Sequence, residues 1–311
     1  MDPGSSRPRV VVICGPTALG KTSAAIELAE IFNGEIVGAD SMQIYRHMDI
    51  GTAKPTEKEK ARVRHHMIDI INPDERFDAR QYAGLARETV DKLYQRNKLP
   101  FVVGGTGFYI KALLNGLFET EVAGNNIRMG LRKEADMHGI DSLYARLCRE
   151  DPDAAKKIHP NDAYRVIRAL EVRAMTGKPL SEYHKAHGFR DHPFVVLKIG
   201  LHICREILYD RINNRVDAMI DNGLLDEVKG LLDMGCSAES KSMQSIGYRH
   251  MVDFIKGNCS WKESIRMLKR DTRRYAKRQM TWFRADPEII WKAPDALQDI
   301  KAVINKFLQK V

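Results

Sequence analysis

The sequence of 311 residues predicts an α/β protein, in which a parallel sheet flanked by helices carries an inserted, all-helical segment. Three observations support this prediction. Short β-branched runs alternate with helical segments through about the first hundred residues, an order that produces parallel sheets. A charged, helical stretch without strand-like runs follows, and a strand-like run then returns at residue 194.

The core elements are predicted one after another along the chain. Residues 10–14 form a continuous apolar run typical of a buried parallel strand, and a helix is predicted for residues 21–32. A second strand is predicted for residues 35–39 and a third for residues 100–103. Between these two strands, residues 79–97 place apolar side chains on one side of a helix. The elements therefore alternate as strand, helix, strand, helix, strand.

The middle of the sequence predicts a separate helical domain. Residues 128–185 are charged and helical, and the strand-like character returns only after them. We therefore expect a core built from residues 1–118 and 194–311, with basic helices towards its C-terminus. The helical insertion is predicted to span residues 119–193.

The composition excludes several classes of protein. Hydrophobic residues make up 43% of the chain and charged residues 29%, which excludes disordered low-complexity chains and fibrous repeats. No apolar run approaches the roughly 20 residues of a membrane helix, and the N-terminal residues do not resemble a secretory signal. The five cysteines form no C-x-x-C pair, which is typical of reduced thiols. We therefore expect a cytoplasmic protein with no membrane partner.

The formal net charge of +9 is concentrated near the C-terminus. Residues 261–284 include nine basic residues and two acids. Most of these cations recur at three- and four-residue steps, which gathers them on one side of a helix. Tyr275, Trp282 and Phe283 lie among them, and aromatic rings mixed with cations suit phosphates and unstacked bases. A nucleic acid partner is therefore favoured over the alternative of a plain solvated helix face.

A glycine-rich phosphate-binding motif follows the first predicted strand. Residues 15–22 fit G-x-x-x-x-G-K-[ST] and lie between a strand and a helix, as this motif requires. Backbone N–H groups of such a loop converge on a di- or triphosphate, Lys21 adds a point charge, and Thr22 can hold Mg²⁺. The core is therefore predicted to be P-loop NTPase-like with a Mg²⁺ cofactor, rather than to hold a glycine-rich turn without a ligand. The predicted diphosphate- or nucleotide-binding residues of the loop are Gly15, Pro16, Thr17, Ala18, Leu19, Gly20, Lys21 and Thr22.

Asp40 and Thr106 are predicted to lie beside this loop. Both follow core strands, and the C-terminal ends of parallel strands form the rim where ligands of open α/β sheets bind. The alternatives are a helix N-cap for Asp40 and a side-chain-to-backbone turn for Thr106. The strand before Gly104 does not end in the acid with which P-loop kinases hold their metal, so Asp40 is the available carboxylate.

Nine sequence blocks occur in a characteristic order along most of the chain. They are residues 15–22, 40–45, 50–55, 65–69, 104–109, 159–162, 168–171, 246–249 and 271–284. Together these blocks resemble the tRNA dimethylallyltransferase family, also called tRNA isopentenylpyrophosphate transferases. The resemblance implies transfer of a dimethylallyl group from dimethylallyl diphosphate to N6 of adenosine 37 in tRNAs, with release of diphosphate. It also implies that the helical insertion contacts the anticodon stem-loop.

The resemblance further implies roles for single residues. Asp40 resembles the general base that takes a proton from the adenine amine, and Thr106 resembles the residue that hydrogen-bonds near that amine. Arg215 resembles a cation that stabilises the departing diphosphate. The residues that match tRNA-contacting positions are Asp40, Ser41, Met42, Gln43, Thr106, Arg128, Tyr164, Arg165, Arg168, Gln244, Gly247, Tyr248, Arg249, Lys277, Arg278, Gln279, Thr281, Trp282 and Arg284.

Three other functions stay open at this stage. An adenylate isopentenyltransferase acting on free nucleotide would need neither the insertion nor the basic window, and a P-loop small-molecule kinase or ATPase would turn over a γ-phosphate. A non-catalytic RNA-binding module could use the loop as a phosphate clamp. The sequence also leaves open whether ATP binds the loop. The family resemblance favours a monomer, and we interpret His65 and His66 as structural because neighbours on a strand face opposite sides.

Overall fold

The structure, a computed structural model, describes residues 7–117, 125–187 and 192–309. Contacts divide the chain into two compact units, of which the first joins Met1–Leu114 to His192–Val311 and the second is Asn115–Asp191. The boundary predicted between residues 118 and 119 lies outside the described residues. None of the described helices is both long enough and apolar enough to cross a membrane.

The first unit contains a single parallel sheet. Its strands are β1 (Arg9–Cys14), β2 (Gly34–Gly38), β3 (His65–His66), β4 (Leu99–Gly104), β5 (Val195–Leu201) and β6 (Ile290–Lys292). Among the described residues, these six strands pair in parallel in the order β3-β2-β4-β1-β5-β6. The predicted parallel α/β core is therefore confirmed.

The central part of the sheet brings two functional loops together. Val10, Val11 and Val12 of β1 are fully buried, as expected for an apolar run with no polar side chain to solvate. Cys14, the last residue of β1, pairs in register with Gly104, the last residue of β4. The loops that follow β1 and β4 therefore leave the sheet side by side.

Helices flank the sheet within the same unit. They are α1 (Lys21–Ile31), α2 (Glu57–Arg62), α3 (Ala79–Gln95), α4 (Gly107–Asn115), α10 (Arg205–Asp221), α11 (Leu224–Asp233), α12 (Tyr248–Ile255), α13 (Trp261–Arg284) and α14 (Leu297–Gln309). α1 contributes Ile26 and Leu28 to the same hydrophobic core as Val11 of β1. α13 begins after Ser260, whose side chain accepts a hydrogen bond from Glu263 N, and it spans the whole basic window.

The second unit is helical and has a hydrophobic core of its own. It contains α5 (Asn125–His138), α6 (Ile140–Glu150), α7 (Pro152–Ala155), α8 (Ala163–Thr176) and α9 (Leu180–His187). Leu143, Leu147, Val166 and Leu170 are at most 1% exposed and pack in one cluster. This cluster forms because α6 and α8 each place apolar residues at helical spacing on one face.

Gly104 ends β4 at a point where the fold has no room for a side chain. A Cβ there would lie 2.1 Å from Ala39 O and 2.4 Å from Ala39 C, which are backbone atoms and cannot move aside cheaply. We expect Gly104→Ala to lower the free energy of unfolding by about 3 kcal/mol in urea denaturation. Gly84→Ala is the matched control, because a methyl on Gly84 of α3 meets nothing within 4 Å. The control should gain roughly 0.5–1 kcal/mol from helix propensity, and equal losses in both variants would contradict the steric argument.

Candidate active site at the phosphate loop

The loop between β1 and α1 has the backbone of an anion-binding site. Gly15, Ala18 and Gly20 have positive φ angles of 136°, 65° and 74°, which curl the chain around the start of α1. A Cβ on Gly15 would lie 2.7 Å from Leu201 O, so the first glycine is required by a close approach of β5. No side chain caps the described N-terminus of α1. Its first N–H groups, with the helix dipole, are therefore available to an anion.

Lys21 lies within this loop rather than extending into solvent. Its Nζ donates to Pro16 O at 2.7 Å. Burial, together with the nearby Arg215 guanidinium, lowers the pKa of Lys21 to about 8, and the Asp40 carboxylate opposes this shift. Thr22 follows at the second position of α1 and is half-buried.

Arg215 reaches the same place from α10. Burial lowers the pKa of this half-buried guanidinium, and the Asp40 carboxylate again opposes the shift. Lys21, Arg215 and Asp40 therefore lie close enough for their charges to interact. Two partly desolvated cations beside an uncapped helix N-terminus form a strong site for a diphosphate.

Thr106 is hydrogen-bonded to Ala39 and Ser41, the residues on either side of Asp40. Asp40 Oδ1 accepts from Met42 N at 2.8 Å, which makes a turn after β2 and not a helix N-cap. Thr106 Oγ1 accepts from Ser41 N at 3.0 Å, and Thr106 N donates to Ala39 O at 3.1 Å. The loops after β2 and β4 thus hold the carboxylate and the hydroxyl side by side.

One face of α13 covers the turn that follows β4. Tyr275, Gln279 and Trp282 recur at four- and three-residue steps on this helix, which places them on one side. Gln279 Nε2 donates to Gly105 O at 2.9 Å, while its Oε1 accepts from Thr17 N at 3.0 Å. The Trp282 ring lies edge-on to Phe108 with the ring centroids 6.4 Å apart.

Tyr275 belongs to the site although the motif analysis did not assign it a role there. Its hydroxyl lies beside the side chains of Thr106 and Gln279, and burial together with the Asp40 carboxylate raises its pKa. The phenol therefore stays protonated and can donate a hydrogen bond at neutral pH. In the sequence, the only sign of this role is its position four residues before Gln279.

The other side of α13 is open to solvent and cationic. The exposed residues there, among the predicted tRNA-contacting positions, are Lys277, Arg278, Thr281 and Arg284, and Trp282 on the rim side is exposed as well. Gln279 differs, because its side chain is only 6% exposed and both of its polar atoms have protein partners. The helix thus presents one face to the rim and a basic face to solvent.

The remaining predicted tRNA-contacting positions of the first unit make bonds within the protein. Tyr248 is fully buried, and Arg249 Nη2 donates to Asp271 Oδ2 at 2.6 Å. Gln244 Nε2 donates to Ala238 O at 2.8 Å, and Gly247 has a positive φ of 100°. Gln43 Nε2 donates to the carbonyls of the loop near residue 52, whereas Ser41 and Met42 are half-buried.

Four predicted tRNA-contacting residues lie in the second unit. Arg128 and Arg168 each donate to Glu171 Oε2 at 2.7 Å, and the Glu171 side chain is fully buried. Tyr164 is 69% exposed, and Arg165 beside it is exposed as well. Tyr164 and Arg165 are therefore accessible, while the two other arginines stabilise a buried carboxylate.

Sequence reasoning also missed Glu227 of α11. Its Oε2 accepts from Asp49 N at 2.8 Å and from Ile50 N at 2.7 Å, and its Oε1 accepts from Gly51 N at 3.1 Å. Tyr248 donates its hydroxyl to the same Oε1 at 2.6 Å. One carboxylate thus holds three consecutive backbone amides of the long loop that begins at Asp40. The sequence contains no local signal for this contact.

The histidine pair is structural, as the sequence analysis interpreted it. His66 Nε2 lies 2.7 Å from Glu35 Oε2, and His65 Nδ1 lies 2.7 Å from Val63 O. The described residues contain no group of three or more His, Cys, Asp or Glu side chains arranged to hold a metal ion. At the rim, the loop amides, Lys21 and Arg215 can bind a diphosphate, with Asp40 and Thr106 nearby.

Known proteins are similar to this chain over most of its length. The family model described as IPP transferase matches residues 43–286. The tRNA dimethylallyltransferase of Desulfosudis oleivorans is 52% identical over 305 residues, which cover 98% of this chain and 97% of the relative. That of Desulfatibacillum aliphaticivorans is 51% identical over 304 residues, with 98% and 99% covered.

Two solved structures are similar over nearly the whole chain. The full-length tRNA isopentenylpyrophosphate transferase of Bacillus halodurans has a TM-score of 0.74 at 40% identity, covering 98% of both chains. A eukaryotic dimethylallyltransferase acting on tRNA has a TM-score of 0.84 at 30% identity, covering 97% of this chain and 79% of the other. These neighbours confirm the P-loop-like core.

Proposed function

Because the chain belongs to the IPP transferase family, we propose that it transfers a dimethylallyl group from dimethylallyl diphosphate to N6 of adenosine 37 in tRNAs. The observation that supports this most directly is the grouping of two cations and a carboxylate at the rim of the sheet. An uncapped helix N-terminus, Lys21 and Arg215 can hold the diphosphate, while Asp40 lies within charge–charge range of both cations. This arrangement supports a role for Asp40 as a base beside the leaving group, where an incoming nucleophile would lose its proton.

The reaction needs such a carboxylate because the adenine amine is a weak nucleophile. As N6 bonds to the dimethylallyl carbon, the carbon–oxygen bond to diphosphate breaks and one N6 proton passes to Asp40. Negative charge that grows on the leaving oxygen is stabilised by the loop amides, Lys21 and Arg215. Thr106 Oγ1 accepts from Ser41 N at 3.0 Å and donates to Ser41 Oγ at 3.4 Å, and we propose that this long second bond yields to one with the base that receives the prenyl group.

A magnesium ion fits the donor set at this rim. Thr22 offers a hydroxyl at the second position of α1, and Asp40 offers a hard carboxylate oxygen within charge–charge range of the adjacent Lys21. Mg²⁺ characteristically takes one or two protein oxygens and completes its shell with phosphate oxygens and water. We propose that Thr22 holds the ion together with the diphosphate, where it would neutralise part of the phosphate charge.

The exposed cationic face of α13 is proposed to bind the tRNA backbone. Lys277, Arg278 and Arg284 are exposed there, and Trp282 offers a ring on which an unstacked base can lie. Tyr164 and Arg165 provide an aromatic ring and a cation on the second unit. The target adenosine must leave its stack to reach a carboxylate at the rim.

We also propose that the enzyme is cytoplasmic and monomeric and that it acts on free tRNA.

Affinity for dimethylallyl diphosphate is expected to fall as the pH rises through about 8, the pKa of Lys21 in the ligand-free protein. Bound diphosphate favours the charged ammonium of Lys21. Above about pH 8 this group is mostly neutral in the free protein, so Lys21 must take up a proton when diphosphate binds. The Kd should therefore rise by up to about tenfold per pH unit above it. Calorimetric titrations across this range, without tRNA, measure the effect. Lys21→Arg is the control, because a guanidinium stays charged; the same pH dependence in both proteins would contradict the assignment.

The proposed function is tested by incubating the protein with unmodified tRNA, dimethylallyl diphosphate and Mg²⁺, followed by mass analysis of the nucleosides. Prenylated adenosine at position 37 is the expected product. Prenylation of free AMP instead would favour an adenylate isopentenyltransferase, and release of γ-phosphate from ATP would favour a kinase or ATPase. Tight tRNA binding without any product would favour a non-catalytic RNA-binding module.

A further inference from the structure

Gln279 connects the two halves of the candidate active site. Its amide bridges Thr17 N, in the loop that would hold diphosphate, and Gly105 O, in the turn that carries Thr106. The orientation of the amide is unambiguous, because an N–H partner needs the oxygen and a carbonyl partner needs the nitrogen. Gly105 and Thr106 are adjacent, and Thr106 bonds in turn to Ser41 beside Asp40. Hydrogen bonds and short stretches of backbone thus connect the phosphate loop to Asp40.

The local shape of the fold is adapted to this bridge. A Cβ on Gly105 would lie 2.2 Å from Gln279 Nε2, so the amide can reach the Gly105 carbonyl only because residue 105 is glycine. The bridge also fixes the direction of one loop amide. Thr17 N donates to Gln279, and it is therefore turned towards α13 instead of towards a bound anion.

Gln279 is buried, unlike its neighbours Lys277 and Arg278 on α13. The side chain is 6% exposed, whereas Lys277 and Arg278 are exposed. A buried amide with both polar atoms satisfied cannot form a further hydrogen bond to RNA through those atoms without breaking one that it already has. Gln279 is assigned to the tRNA-contacting positions by resemblance, but its amide bonds within the protein instead.

We propose that Gln279 is a positioning residue, which holds the phosphate loop at a fixed distance from the Asp40–Thr106 pair during prenyl transfer. This inference rests on the proposed function, since it gives the bridge a role in that reaction. Diphosphate and attacking amine must be aligned for in-line displacement at the carbon between them. A misplacement of about 1 Å can cost on the order of 100-fold in rate.

The expected result for Gln279→Ala is a single-turnover rate about 10- to 100-fold lower with both substrates saturating. The Kd for tRNA should stay within about twofold of the native value, because the side chain does not face the RNA. Gly105→Ala should reproduce this loss, since a methyl at residue 105 displaces the amide without removing it. Lys277→Ala is the matched comparison on the same helix, and it should weaken tRNA binding. A native rate in Gln279→Ala, or a loss confined to tRNA affinity, would overturn the proposal.

Gln279→Glu gives a sharper readout, because the two side chains have nearly the same shape. An ionised carboxylate cannot donate to Gly105 O, whereas a protonated one can donate and still accept from Thr17 N. The ratio of the variant rate to the native rate should therefore rise about tenfold as the pH falls from about 8 to 5, since burial raises the pKa of a carboxyl group. A ratio that does not change with pH would contradict a role for the Gly105 hydrogen bond.

Hydrogen exchange tests the bridge independently of activity. Amide protection in a peptide covering residues 15–20 should fall in Gln279→Ala, which removes the acceptor of Thr17 N, but stay native in Lys277→Ala. If the native protein prenylates no tRNA, the proposed function fails, while this measurement still decides whether the bridge exists. Unchanged protection in Gln279→Ala would show that the amide does not hold the loop.

Discussion

Substituting asparagine for Asp40 is expected to lower the single-turnover rate of prenyl transfer by about 10²- to 10⁴-fold, with little loss of affinity for dimethylallyl diphosphate. The adenine amine must lose a proton as its nitrogen bonds to carbon, and an amide cannot accept that proton. Asparagine keeps the oxygen that accepts from Met42 N at 2.8 Å, so the turn after β2 stays folded. Diphosphate should bind at least as tightly, because the carboxylate that repels it is gone.

Rapid-quench measurements with enzyme in excess over tRNA separate the chemical step from product release. Asp40→Ala removes both the base and the turn acceptor, so any further loss relative to Asp40→Asn measures the contribution of the turn. Asp91→Asn removes an exposed carboxylate on α3 and should leave the rate within about twofold of native. An unchanged rate in Asp40→Asn would remove Asp40 from the role of base.

The parts of the fold that could be predicted are those with a strong local pattern. The β-branched run of β1, the glycine motif before α1 and the periodic cations of α13 each determine an element from neighbouring residues alone. β3 and β6 could not be predicted, because strands of two and three residues have no measurable periodicity. Their pairing depends on the strands beside them in the sheet.

In the candidate site, too, the residues that follow a local pattern could be predicted and the long-range contacts could not. The phosphate loop, Asp40 and Thr106 follow strand ends, so strand prediction and sheet chemistry were enough to propose them. Gln279 contacts Thr17 and Gly105 at separations of 262 and 174 residues, which only the pairing of β1 with β4 and the packing of α13 over their loops bring together. A sequence motif indicates that a glutamine occupies this position, but not whether its side chain faces the protein or the RNA.

Loss of the Glu227 carboxylate is expected to lower stability strongly. Glu227→Ala removes the acceptor of three backbone amides in residues 49–51 and of the buried Tyr248 hydroxyl. Hydrogen bonds to a charged group contribute about 1.5–3 kcal/mol each, and water entering the space recovers part of that. We therefore expect the free energy of unfolding to fall by about 4 kcal/mol in urea denaturation. Asp226→Ala is the control on the same helix, because its side chain is 81% exposed.

The Tyr248 contact can be separated from the amide contacts by a double-mutant cycle. Burial and the Glu227 carboxylate both raise the pKa of Tyr248, so the phenol remains a hydrogen-bond donor throughout the stable pH range. Tyr248→Phe alone should cost about 1–2 kcal/mol, and the double variant should cost less than the sum of the single losses. Strict additivity would mean that the two side chains act independently. A loss for Glu227→Ala no larger than that of Asp226→Ala would show that the loop of residues 49–51 is held by its own hydrogen bonds, such as Lys54 Nζ to Asp49 Oδ1 at 2.7 Å.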